Sequence, residues 1–352
     1  MHPRILLRTH YQADEPRLII AAVTHCSNPR ERGDEERIAA ALERWARNNK
    51  YVISTPGAVY AVGNARHLGL LDRSNRRTAS GHAFAFIEQL VPPESGPKSR
   101  FLTPMEERLY LKTYLIGAGA LLVKFTTWLL ERGSTTAEQL RKGSIIEHLM
   151  IDVLDDYLSL AREVRDRAAI RHEKDRLSRE DYSSATKRHK RYPLLKTMLR
   201  LRLLRGNADN GEVDQIQPDS SGRLAAMSRA VPNIEELERL IRSNKLQETL
   251  DVEMREYARN DLPMYQKPLA LLHDAYSFAM ELGMQACPLS FLDDILRAAF
   301  PTSPGAQPLG AEQLLEPAHK ESPGEVRFHV DRRGQRAFVV LSERALQGLS
   351  DR

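Results

Sequence analysis

Cysteine is almost missing from this chain, with only Cys26 and Cys287 among 352 residues. Two thiols so far apart exclude a disulfide framework and a thiolate metal site, and they fit a reducing compartment. Long apolar runs are lacking as well. The longest, 115–123, is interrupted by Gly117 and Gly119 and falls short of the about 18 apolar residues of a bilayer span. The start, Met1-His2-Pro3-Arg4, does not open onto an apolar signal core. These absences lead to an expectation of a cytoplasmic protein that does not engage a membrane.

The motifs of the commoner catalytic centres are missing too. None of the 12 lysines has Asp or Glu two residues before it, so a metal-dependent nuclease triad of the PD-(D/E)xK kind is excluded. Gly-Lys does not occur, which removes the P-loop, and there is no Gly-x-Ser-x-Gly elbow. The 11 histidines show neither His-x-His nor zincin spacing. His172-Glu173-Lys174 has no aspartate at the distance a phospholipase-D-type motif needs, and it reads as a solvated helix face of alternating charge. Asp155-Asp156 and Asp293-Asp294 suit helix surfaces or first turns. The expectation is a protein without catalytic activity, metal or cofactor.

What is there is a globular composition, 41% hydrophobic and 28% charged, with an uneven distribution of a net charge of +5. Residues 162–205 hold 15 Lys+Arg against 6 Asp+Glu, whereas residues 206–262 hold 7 against 12. Within the first stretch, residues 187–205 carry eight cations and no carboxylate. Like charges at that density repel, and a polyanion would relieve the cost.

The periodicity predicts a mainly α chain. Residues 5–7 and 17–23 read as short strands or a poorly patterned lead-in; 36–48 as a helix through Ile38, Leu42 and Trp45; and a second helix starts with Thr55 as cap and Pro56 at its first position. Pro92 to Pro97 reads as a linker. Helices are expected at 105–116, 121–132 and, continuously, 145–171, then a recognition-helix candidate at 194–204 with Lys196 and Arg200 on one exposed side, and 206–214 as its turn or wing. Helices follow at 234–242, 269–282 and 288–300, the last with Ser290 as a cap. Residues 301–323 read as a proline-rich loop, and 325–330 with 336–341 as a β-hairpin around Asp331-Arg332-Arg333-Gly334. The expected boundaries are 1–91, a linker at 92–97, 98–233 and 234–352.

Ala65-Arg66-His67-Leu68-Gly69-Leu70-Leu71, a polar turn through Arg76 and Arg77, and Thr78-Ala79-Ser80-Gly81 together resemble the second half of a winged-helix domain, over about residues 36–91. In that family a recognition helix ends at a leucine-glycine-leucine corner, a basic hairpin forms the wing and a threonine-x-x-glycine step opens the next element. Gly69 suits a left-handed helix end, with the leucines seating it on the core. Leu282-Gly283-Met284, the following helix and the basic hairpin look similar. The fold expected is therefore winged-helix-like modules joined by a helical bundle or long helix.

The resemblance implies binding to double-stranded DNA, as a regulator or as the DNA-engaging subunit of a larger prokaryotic complex for defence or chromosome maintenance. Lys187, Arg188, Lys190 and Arg191 would meet phosphates, and Lys196, Arg200 and Tyr192 would approach the groove. Arg66, Arg76, Arg77, Arg332 and Arg333 would act around the recognition helix and the wing tips. Modules joined by a long helix also resemble accessory subunits that bind an ATPase or nuclease partner and contact DNA weakly or not at all. Protein partners, and self-association as a homo-oligomer, fit both readings.

Overall fold

The computed structural model describes residues 15–28, 33–91, 102–136, 139–140, 145–179, 194–205, 215–254, 267–300 and 309–351. Within these the chain is mainly helical, with two small antiparallel sheets.

Four helices open the described chain: α1 (Pro16–Thr24), α2 (Glu35–Asn48), α3 (Thr55–His67) and α4 (Ala79–Leu90). The first three pack on one another, and α4 closes against α1. The segment expected as a strand at 17–23 is thus helical. Every residue from Pro16 to Val23 is buried, so no polar face interrupts the pattern and no period could be read from it. Asp34, Ser54 and Thr78 each accept a backbone N–H of the following first turn; Ser54 therefore caps α3, one residue before the expected Thr55. After α3, Gly69 takes φ 71°, and Leu71 bridges Arg77 antiparallel across the turn. A Cβ on Gly81 would lie 2.2 Å from the Leu70 carbonyl oxygen, so only glycine lets α4 approach that corner.

The central element is α5 (Pro104–Arg132), begun by a capping box between Thr103 and Glu106. The two helices expected at 105–116 and 121–132 are its two halves, joined through a kink at Ala118 (φ −142°). The His67 imidazole Nε2 donates to the Gly117 carbonyl at 3.0 Å, and a Cβ on Gly117 would press on Leu68. The corner after α3 therefore plugs the kink. Contrary to the run-length reading, α5 is long and apolar enough to cross a membrane, with 67% of its apolar window buried inside the protein. It packs against α4 and, later in the chain, against residues 145–160, 215–218, 223–230, 234–242 and 289–299.

Next come Gly133 (φ 77°), β1 (Thr135–Thr136), α6 (Ile145–Leu160), α7 (Val164–Arg179), α8 (residues 194–200), β2 (Leu204–Arg205) and β3 (Gln215–Pro218). The single helix expected over 145–171 breaks after Leu160, because α7 folds back to bury Ile170 and Leu177 near α6. Then follow α9 (Arg223–Ala230), α10 (Ile234–Arg242) and α11 (Leu246–Glu253).

The last group is α12 (Pro268–Glu281), Gly283 (φ 73°), β4 (Cys287–Pro288), α13 (Leu289–Ala299), α14 (Ala311–Glu321), β5 (Val326–Val330), β6 (Arg336–Leu341) and α15 (Glu343–Asp351). Ser290 does not cap α13, and part of the expected proline-rich loop is α14, with Pro317 inside it. The two sheets have the same order, β1-β3-β2 and β4-β6-β5. In each, a two-residue strand after a left-handed glycine corner pairs with the second strand of a later pair, so helix, corner, short strand, helices and hairpin-like strand pair occur twice.

Candidate nucleic-acid interface

Lys187, Arg188, Lys190, Arg191 and Tyr192 lie outside the described residues. The described remainder of that basic run is neutralised from a distance. Arg200 is buried and donates through Nε and an Nη to the two oxygens of Glu15, at 2.7 and 3.1 Å. Arg202 meets Glu107 at 2.9 Å, and Arg205 lies 3.8 Å from Asp219. The helix α8 has Leu194, Leu195, Thr197, Met198, Leu199 and Arg200 buried, with Lys196 half-buried. It is a core helix, and the expected exposed side with Lys196 and Arg200 does not exist. The physical reason is the carboxylate of Glu15, which sequence distance hid.

The cations around α3 are similarly engaged. Arg66 donates to Glu35 at 2.6 Å. Arg77 donates to the carbonyls of Thr24 and Ser27 and to the Ser27 hydroxyl, closing the end of α1, and burial lowers its pKa. Arg76, exposed, donates from Nε to Asp72 at 3.0 Å. The Arg76 backbone N–H, then that of Ser74 and the Arg76 side chain, hold the Asp72 carboxyl below its ordinary range. The turn 72–77 is anchored to Gly33 through Ser74 and Asn75. Arg332 and Arg333 stand exposed at the tip of the β5–β6 hairpin, where Gly334 takes φ 76°.

One cationic surface escaped the sequence reading. The helix α7 packs chiefly against α6, and Ile170 and Leu177 mark its buried side. At about 100° per residue, Arg165, Arg171, His172 and Arg176 fall on the solvent arc and Arg167 on its flank, and all five are exposed. Of the three carboxylates within α7, Asp166 and Glu173 lie on the half-buried flank and Asp175 alone shares the arc. Arg176 is shared with Glu173 at 2.5 Å, and Lys174 with Asp155. Charges that alternate along the chain are thereby sorted by the helix. No protein-family model, curated protein or solved structure matches the chain.

From Arg165 to Arg176 the arc runs about 16 Å, at roughly 1.5 Å per residue. That is the rise of about five nucleotide steps of one strand of duplex DNA, at roughly 3.4 Å each. Guanidinium groups on such a track can each take a phosphate bidentately. Among the described residues no group of His, Cys, Asp and Glu is arranged to hold a metal ion.

Proposed function

We propose that this protein binds double-stranded DNA through its phosphates, with α7 as the principal contact and no chemistry of its own. The observation that carries the reading is the set of exposed arginines on this helix, Arg165, Arg167, Arg171 and Arg176, of which only Arg176 is shared with a carboxylate of the same helix, that of Glu173. The chain continues from that helix towards Lys187, Arg188, Lys190, Arg191 and Tyr192, so the sequence extends the same charge. The twice-repeated strand order, a short strand followed by helices and a hairpin-like pair, is compatible with winged-helix-like modules as the scaffold. A regulator or the DNA-engaging subunit of a larger prokaryotic complex fits phosphate contacts without base reading.

The test is fluorescence anisotropy of the whole protein with two duplexes of unrelated sequence over a salt series. Six neutralised phosphates give a log–log slope near about −5, at roughly 0.9 per phosphate. Replacing Arg165, Arg167 and Arg171 together by alanine reduces that slope by about three and weakens both duplexes alike. Replacing Lys187, Arg188, Lys190 and Arg191 by alanine acts in the same direction. Unchanged affinity in the α7 variant overturns the proposal.

A second reading, an interaction subunit that binds a protein partner such as an ATPase or nuclease, is favoured by α14. That helix stands where a winged-helix module presents its recognition helix. It carries Glu312, Glu316 and Glu321 against Lys320, with Pro317 between them. With Glu312 and Glu316 paired to Arg336, that helix offers phosphate no free cation cluster, and an absence of duplex binding by the wild-type protein favours this reading.

A further inference from the structure

The β5–β6 hairpin has two dissimilar faces. Val326, Phe328, Val339 and Leu341 turn towards the core, where Arg336 lies 4.5 Å over the Phe328 ring and is neutralised by Glu312 and Glu316 of α14. On the opposite face the register sets Pro288, Phe338 and His329 in one row across the three strands, with Arg327 and Val340 in the next. Phe338 is 39% exposed and His329 is exposed beside it, with Pro288 and Val340 half-buried. An exposed aromatic side chain at the centre of such a patch is what a partner buries.

The charge around this face is positive. Arg327, Arg332 and Arg333 are exposed. The carboxylate of Asp331 is occupied by the backbone N–H groups of Arg333 and Gln335, at 2.8 and 3.0 Å. Glu325 lies 3.5 Å from Arg344. The carboxylates of α14 engage Arg336 on the other face. Along the strand edge beyond, Val326 spends its outward groups on Ser322 and His319, whereas Phe328, two residues on, has no such partner among the described residues.

We infer that this outer face, Pro288, Phe338 and Val340 ringed by Arg327, Arg332 and Arg333, docks an acidic, apolar-anchored segment of a protein partner. Apolar side chains of the segment cover Phe338, and its carboxylates meet the three arginines. Duplex DNA fits less well, because phosphates leave Phe338 uncovered. The inference stands apart from the α7 reading, and either can fail alone.

The test pans a phage-displayed library of short random peptides on the whole protein, and measures an enriched peptide by anisotropy against wild type, Phe338→Ser and Arg327→Glu. Expected are peptides rich in Asp and Glu with Leu, Phe or Trp, whose affinity falls roughly tenfold or more in both variants, the loss of an aromatic anchor and of its charge partner. Both positions are solvent-facing, and matching thermal transitions show that the variants fold. Neutral or basic peptides, or binding indifferent to both substitutions, overturn the inference. Competition by duplex DNA, or self-association that disappears with Phe338→Ser, overturns it as well, because the face then belongs to DNA or to a second copy.

Discussion

Arg17 and Glu106 face one another as a doubly hydrogen-bonded pair, Nη1 to Oε1 at 2.5 Å and Nη2 to Oε2 at 2.7 Å, with neither side chain more than 1% exposed. The pair ties α1 to the first turn of α5, where Glu106 also serves the capping box. Arg17→Ala leaves a buried carboxylate without its cation and costs about 3–5 kcal/mol. Arg17→Met with Glu106→Leu loses less than the sum of the single changes. Urea denaturation of Arg17→Ala, of Arg17→Met and Glu106→Leu singly and of their double variant measures both, and simple additivity counts against a coupled pair.

Asp251 of α11 supplies the pH prediction. Its Oδ1 accepts from Gln247 at 2.7 Å, its Oδ2 is buried without a partner, and burial pushes its pKa up from 3.8 to about 6 against the pull of Gln247, Arg108, Arg297 and Lys112. A carboxyl raised on folding contributes stability that is complete below its unfolded pKa and lost as pH rises through the folded one. Wild type therefore loses up to about 3 kcal/mol between pH 4 and pH 7 from this group. Asp251→Asn is more stable than wild type at pH 7.5 and no more stable at pH 4. Denaturant midpoints across pH check this, and parallel curves refute it.

Arg200 separates stability from binding. Arg200→Met strands Glu15 in the interior and lowers stability by about 3–5 kcal/mol. Below its melting temperature the variant binds duplex DNA like wild type, because the side chain is not on the surface. A tenfold or larger loss of DNA affinity in the folded variant returns α8 to the interface.

Gly81 and Gly69 differ in kind. At Gly81 a methyl group meets backbone, the Leu70 carbonyl, so Gly81→Ala forces α4 off the corner and costs about 3 kcal/mol or more. At Gly69 nothing lies within 4 Å, and only the left-handed conformation penalises Gly69→Ala, by about 1–2 kcal/mol. Gly69→Asn recovers part of that loss. Thermal unfolding ranks the three.

Local rules made much of the fold legible. The β-hairpin falls on the expected strands, α2 within a residue of its predicted start, and both halves of α5 on theirs. Glycine corners marked the ends of α3 and α12. Hidden were elements whose logic is tertiary. A helix buried on every side, α1, carries no period; α14 forms despite Pro317. For the candidate site, the count of cations was visible but not their partners. Arg200 and Glu15 are 185 residues apart, so the described part of the run, at Arg200, Arg202 and Arg205, is balanced by carboxylates distant in sequence. The reverse happened at α7, where carboxylates adjacent in sequence rotate away from the arginines.

The kink in α5 gives the molecule a crankshaft. One arm reaches α4 and α13, the other α6, and α6 carries α7. Any load on α7 would reach α4 and α13 through the bend at Ala118, where the Leu68 side chain and the His67 carbonyl crowd Gly117.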